Sequence, residues 1–204
     1  MLYFDIGANI GKWSLSNINN NKIIAIEPVP NTFKILENNC LNHNIICLNY
    51  AVCDNNNDDI DFYKASSSTL STLNLEWLND KKSRFYNTSY TQIKCRTIKL
   101  DDLIKNYGIP DLIKIDVEGG EYDCIKSLTQ KVNLLCFEWA SETNDISFKC
   151  LDYLCELGFK QFFIQNNDEY VFRPDDKKFI DILSVKQLLE LTIPKQDWGM
   201  IWCK

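Results

Sequence analysis

The chain has 204 residues, enough to bury one sizeable core. Its 28 Asp and Glu outnumber its 22 Lys and Arg for a net charge of -6, with the charges scattered, which excludes a basic stripe for nucleic acid and a polybasic segment for a membrane surface. No apolar run reaches the length of a membrane span and the chain enters its first strand without a cleavable leader, so the expected compartment is the cytoplasm.

Leu2 to Ile6 reads as a strand, followed by a Gly-containing turn and a short helix from Lys12 to Ile18. Ile23 to Ile26 is a second strand closed by Pro28-Val29-Pro30, after which Asn31 is placed to cap an amphipathic helix carrying Phe33, Ile35, Leu36 and Cys40. A third strand spans Ile45 to Val52 and ends in a polar turn at Asp54. This β-α-β-α-β order with short connections calls for a parallel sheet covered on both faces.

The next stretch breaks the rhythm. Ile60 to Tyr63 and Gln92 to Ile98 alternate like exposed strands, with the polar run Ser66 to Thr72 between them. That run reads either as a mobile functional loop or as a solvated insertion. Asp101 is expected to cap a short helix over Leu103 and Ile104. Asp111 to Asp116 is the fourth parallel strand, leading through Gly119-Gly120 into a helix from Tyr122 to Leu128, and Leu134 to Glu138 is the fifth. A helix from Cys150 to Leu157 stops at Gly158, a strand follows from Phe159 to Ile164, and Tyr170 to Phe172 is a further short strand. A helix from Ile182 to Leu191 precedes a last strand, Gly199 to Cys203, expected to pair antiparallel at the sheet edge. The whole is expected to be one domain, 1–204, with a cofactor-binding half (1–54), an excursion (55–99) and a catalytic and C-terminal half (100–204).

Chemistry in open α/β sheets gathers outside the carboxyl ends of the strands, where Asp5, Glu27, Asp116 and Glu138 all fall. Gly7-x-Asn9-x-Gly11 replaces the G-x-G-x-x-G of a dinucleotide turn, and Asn9 tolerates positive φ better than most residues. An acid at Asp5 would repel a pyrophosphate but suits a cofactor with a cationic amino group, S-adenosylmethionine. Glu27 can accept from the two hydroxyls of a ribose. Period-2 geometry puts Lys114 and Asp116 on one strand face, and a lysine in a buried strand needs a carboxylate partner. Asp116 reads as a group beside the reacting centre or as a cap or ion pair, and Glu118 is open in the same way. Glu121 suits the dipole of the helix it starts. Nine cysteines without a C-x-x-C pair, most in apolar segments, read as core residues of a protein in a reducing compartment, and the single His43 argues against structural zinc and falls away from the crevice.

The segments Phe4-Asp5-Ile6-Gly7-Ala8-Asn9-Ile10-Gly11, Ile26-Glu27-Pro28-Val29-Pro30, Asn49-Tyr50-Ala51-Val52, Leu100-Asp101-Asp102-Leu103 and Ile113 to Glu121 together resemble the FkbM family of class I S-adenosylmethionine-dependent methyltransferases. The resemblance implies a Rossmann-like α/β fold with a seven-stranded, mostly parallel sheet, helices on both faces and an antiparallel last strand. It implies cofactor contacts from Asp5 through Gly7, Ala8 and Asn9 to Gly11, the ribose on Glu27, and adenine near Pro28, Ala51 and Val52. It also implies O-methylation of a hydroxyl on a sugar, nucleotide sugar, glycan or secondary metabolite. Family members often carry structure ahead of the first strand; none is expected here.

Methyl transfer requires alignment of the hydroxyl and removal of its proton. Asp116 is the expected base, with Lys114, Glu118 and Glu138 around it; Glu138 would orient the acceptor or share Mg2+ with Asp116. Trp13 and Trp139 read as a wall for the acceptor or as plain core. Acceptor contacts are expected from Ser66 to Thr72 and from Trp139 to Asn144. The expected partner is a small-molecule or glycan acceptor, a homo-oligomer stays open, and neither nucleic acid nor membrane is expected. The competing readings are a non-catalytic module of the same fold serving a partner enzyme, a nucleic-acid methyltransferase, and a nicotinamide oxidoreductase, which the missing third glycine disfavours.

Overall fold

The computed structural model describes residues 1–56, 59–192 and 197–204. In chain order the elements are β1 (Leu2–Ile6), α1 (Lys12–Ser16), β2 (Lys22–Ile26), α2 (Pro30–Cys40), β3 (Ile45–Leu48), β4 (Ala51–Val52), β5 (Ile60–Ala65), α3 (Glu76–Asn79), β6 (Tyr90–Cys95) and β7 (Thr97–Ile98). There follow α4 (Leu100–Tyr107), β8 (Leu112–Ile115), α5 (Glu121–Lys126), β9 (Leu135–Ala140), α6 (Asn144–Glu156), β10 (Phe162–Asn166), α7 (Ile182–Glu190) and β11 (Trp198–Cys203). Seven strands form one sheet in the order β10-β11-β9-β8-β1-β2-β3, in which β11 runs antiparallel to both neighbours and the other pairs are parallel. No helix among the described residues is long and apolar enough to cross a membrane.

Alternation along the strands sorts the sheet into two chemistries. Phe4 and Ile6, Ile24 and Ile26, Ile113 and Ile115, Leu135 and Phe137 face a single large core completed by α4, α5 and α6. The opposite face begins as apolar, with Tyr3, Ile23, Leu112, Cys136 and Trp202, and becomes charged toward the strand ends. Asp5 stands beside Lys114 in register on adjacent strands, so the alternation that buries Phe4 and Ile113 on one side puts acid against base on the other.

Several elements differ from the expectation for identifiable reasons. The third strand splits because the Asn49 side-chain amide donates to the carbonyls of Glu27 (2.8 Å) and Pro28 (2.9 Å), turning the chain out of the sheet so that β4 pairs with β7 instead. Helix α2 starts at Pro30, whose fixed φ and missing N–H suit the first turn, and not from a cap at Asn31. Asp101 does not cap its own helix: its carboxylate accepts from the backbone N–H and hydroxyl of Thr129, tying α4 to the end of α5. Tyr170 to Phe172 form a turn and no strand, with Phe172 stacked on Phe163 at 5.7 Å. The last strand is antiparallel as expected but lies inside the sheet, between β9 and β10, which is the edge. Gly199 permits this: a Cβ there would stand 2.0 Å from the carbonyl oxygen of Gln165 on β10.

Candidate active site

The turn after β1 is built on positive φ values at Gly7 (+76°), Asn9 (+49°) and Gly11 (+87°), the conformation that glycine and asparagine adopt most readily. Gly7 and Ala8 both donate their backbone N–H to the Ile26 carbonyl, at 3.1 and 2.9 Å, which draws the turn across the end of β2. A Cβ on Gly7 would lie 1.7 Å from the Asp116 carbonyl oxygen, so the turns after β1 and β8 touch through backbone. Gly11 faces inward: its missing Cβ makes room for Leu36 and Cys40 of α2, and the residue packs the helix without lining the cavity.

Glu27 closes one end of the site. Its two carboxylate oxygens each accept one backbone N–H, from Asn9 at 3.1 Å and from Val29 at 2.9 Å, leaving the remaining lone pairs toward the cavity. Burial pushes its carboxyl up to about 7 against the pull of those two N–H donors. A cavity of about 270 Å³ opens beside it, walled by Gly7 to Asn9, by Pro28, Tyr50, Ala51 and Val52, and by Asp116 to Glu118. The excursion adds Phe62, Ser68, Thr69, Ser71 and Leu73, so the polar run from Ser66 to Thr72 reaches the cavity; Ser68 Oγ approaches Asn9 Oδ1 at 3.4 Å. Trp13 lines the cavity, whereas Trp139 is core, 1 % exposed.

The acids separate into two groups. Asp5 is fully buried beneath the turn: Ser14 donates its hydroxyl to Oδ2 at 2.7 Å, Lys114 Nζ stands 3.2 Å from Oδ1 without hydrogen-bond geometry, and the residue does not line the cavity. Lys114 Nζ also lies 3.3 Å from Asp116 Oδ2 and donates to the Gly7 carbonyl at 3.2 Å. Burial disfavours the lysine's charge, but Asp116 and Asp5 together outweigh it and hold the ammonium protonated. The partnership expected for Lys114 is thus met twice over.

Asp116, Glu118 and Glu138 bring one carboxylate oxygen each within 4.8 Å of one another. Burial first, and then the negative charge of its neighbours, pushes Glu118 and Glu138 well above the usual carboxylate range. Glu118 sits at φ +56° and accepts from the indole N–H of Trp77 at 3.0 Å. The Trp77 ring lies against Gly119, and Asn74 donates to the Gly119 carbonyl at 3.0 Å. Glu121 does more than face a helix dipole: its carboxylate accepts from Val117 and Gly119, closing the loop between β8 and α5. On the far side of Trp77 a second cleft of about 620 Å³ is walled by Tyr63, Asn74, Tyr122, Glu142 and Thr143. His43 is exposed in the turn before β3.

Trp77, Asn49 and Asp168 escaped the reading of the residues. Asn49 belongs to a motif whose task the sequence did not disclose. Trp77 lies in the four-residue helix α3, too short to show a periodicity, and Asp168 lies in an irregular segment.

The residues fit a ligand with an adenosine and a cationic amino acid. The cavity is lined by Glu27, whose carboxylate keeps spare lone pairs, by apolar side chains and by the further acids Asp116, Glu118 and Asp168. A family model described as the methyltransferase FkbM domain matches residues 5–161. Among solved structures the chain is similar to precorrin 8W decarboxylase of Methanobacterium thermoautotrophicum, with 12% identity, 100% of this chain and 81% of that one covered, and a TM-score of 0.49. It is also similar to a SAM-dependent methyltransferase from Archaeoglobus fulgidus, with 13% identity, coverage of 100% and 86%, and a TM-score of 0.39. No curated protein matches.

Proposed function

The chain belongs to the FkbM methyltransferase domain family, and on that premise we propose that it is an S-adenosylmethionine-dependent O-methyltransferase acting on a hydroxyl of a sugar, nucleotide sugar, glycan or related secondary metabolite. The observation that carries the reading is that Asp116 and Glu118 line the same cavity as Glu27, with Glu138 grouped behind them, outside the lining, one carboxylate oxygen of each of the three lying within 4.8 Å of the others. When bound, S-adenosylmethionine supplies a methyl group already activated on a sulfonium. Glu27 would hold the ribose hydroxyls, Pro28, Ala51 and Val52 would flank the adenine, and Gly7, Ala8 and Asn9 would bring backbone close to the ligand.

Asp116 accepts the proton of the acceptor hydroxyl, and its ion pair with Lys114 fixes the carboxylate's direction. Burial and the neighbouring negative charge push the carboxyls of Glu118 and Glu138 well above the usual carboxylate range, which favours the protonated form. So protonated, Glu118, which lines the cavity, can donate a hydrogen bond to an acceptor oxygen and align it, with Glu138 beside it. The cleft beyond Trp77 offers space for the rest of the acceptor, with carboxylates and tyrosines of the kind that hydrogen-bond and stack on sugars. Asp116 and Glu138 are also the pair that would hold Mg2+, which would supply Lewis acidity at the hydroxyl. Loss of activity in EDTA with recovery on Mg2+ supports that variant, and indifference to EDTA removes it.

Calorimetric titration with S-adenosylhomocysteine is the direct test. Binding by the wild type that is lost in Glu27→Ala supports the cofactor site; no binding by a folded wild type refutes it and leaves a non-catalytic partner module in front.

A further inference from the structure

Asp5 is the acid that the sequence places nearest the cationic end of the cofactor, but the fold withdraws it from the cavity and engages its carboxylate with Ser14 and Lys114. Lys114 in turn is the single ammonium shared between Asp5 and Asp116. Among the described residues, Asp5 and Asp116 thus share one buried ammonium, while Glu118 and Asp168 line the cavity as further carboxylates.

Asp168 lines the cavity from the segment that follows β10 and is half-buried there. The influences on its carboxyl are burial, the charge of Lys114 and the charges of Asp116 and Asp5, with no hydrogen bond among them; burial raises it to about 6, still ionised at neutral pH. Its backbone is pinned on both sides. The Asn167 N–H donates to the Trp198 carbonyl at 3.0 Å, and Asn17 of α1's C-terminal cap donates its amide to the Tyr170 carbonyl at 2.9 Å. Arg173 completes the clamp by donating to Asn17 Oδ1 at 2.7 Å while its guanidinium lies over Tyr3, Trp13 and Trp202. A fixed, half-buried carboxylate without a hydrogen-bonded partner among the described residues is costly unless a ligand completes it.

We propose that Asp168 is the residue that receives the ammonium group of the cofactor's amino-acid end, an assignment that rests on the S-adenosylmethionine reading of this cavity. Lys12, at the start of α1 and lining the same cavity, offers the opposite charge to the cofactor's carboxylate.

Two ligands separate this role from a general one in shaping the site. S-adenosylhomocysteine carries the ammonium; 5′-methylthioadenosine keeps the adenosine and thioether and lacks the amino-acid end. Calorimetry on Asp168→Asn is expected to show S-adenosylhomocysteine weakened roughly 10- to 100-fold, the value of a charge-assisted hydrogen bond, with 5′-methylthioadenosine unchanged. Asp168→Ser, which removes the charge without adding an amide, should give the same split, and thermal melting of both variants checks that they are folded. Wild-type affinity for S-adenosylhomocysteine in both folded variants, or equal loss of both ligands, overturns the assignment and leaves the cofactor site standing. Failure of the wild type to bind S-adenosylhomocysteine overturns the cofactor reading, and the assignment with it.

Discussion

The indole N–H of Trp77 donates to Glu118 Oε2 at 3.0 Å, joining the excursion between β4 and β7 to the acid cluster at the end of β8. Glu118 holds a left-handed backbone, φ +56°, and Trp77 packs its ring on the next residue, Gly119. The loop that carries the proposed catalytic acids is thus shaped from outside as well as by Glu121 from within.

Trp77→Phe keeps the ring against Gly119 and removes the donor. It should cost about 1–3 kcal/mol of stability in urea denaturation, the range for orphaning a buried polar group. Trp77→Ala also empties the space that the 3 % exposed ring fills and should cost about 3–5 kcal/mol.

Gly7→Ala is expected to abolish binding of S-adenosylhomocysteine in calorimetry. The added methyl would stand 1.7 Å from the Asp116 carbonyl oxygen at a φ of +76°, so the turns after β1 and β8 must part to admit it. The strain should exceed the ~1 kcal/mol by which Gly→Ala can stabilise a compatible site, giving a net loss of stability.

Asp116→Asn keeps the shape and removes the proton acceptor. Once an acceptor is in hand, kcat should fall by about 10²–10⁴-fold, while S-adenosylhomocysteine affinity stays close to that of the wild type.

The ligand-free protein should lose stability as pH rises from 4.5 toward 7. The Glu27 carboxyl releases its proton near 4.5 when unfolded and near 7 when folded, so between these values the folded state carries the extra proton and each increment of pH favours unfolding. The contribution is complete below 4.5, is lost through 7, and amounts to about 3 kcal/mol. Glu27→Gln should flatten that part of the slope in melting curves taken across the window. The raised carboxyls of Glu118 and Glu138 act in the same direction and leave a residual slope.

The middle of the sheet was legible because β1, β2, β8 and β9 are short apolar runs with an acid near their ends. Leu2 to Ile6 is recovered with both its ends, and the Lys114 and Asp116 pairing follows from alternation alone. What alternation cannot report is where a chain leaves a sheet. The break after Leu48 depends on an Asn49 side chain reaching carbonyls more than twenty residues earlier, and the placement of β11 inside the sheet depends on Gly199 meeting the Gln165 backbone. Proximity to a strand end likewise did not distinguish a carboxylate that opens to the cavity from one sealed beneath it. Asp5 lies within β1, in register with Ala25, and is covered by Ser14 and Lys114, whereas Glu27 stands just past the end of β2; the cover over Asp5 depends on how α1 lies across the sheet.

The short ladder between β4 and β7 pairs Ala51 with Thr97 and Val52 with Ile98. The excursion therefore departs and returns at one doorway, side by side, while the seven-stranded sheet passes it by. A segment hung this way is a cassette: its length and sequence can change between relatives without moving a single strand of the frame. Because this cassette supplies Phe62, Ser68 and Leu73 to the cavity wall and Trp77 to Glu118, exchanging it is the route by which one methyl-transfer frame could be refitted to a different acceptor.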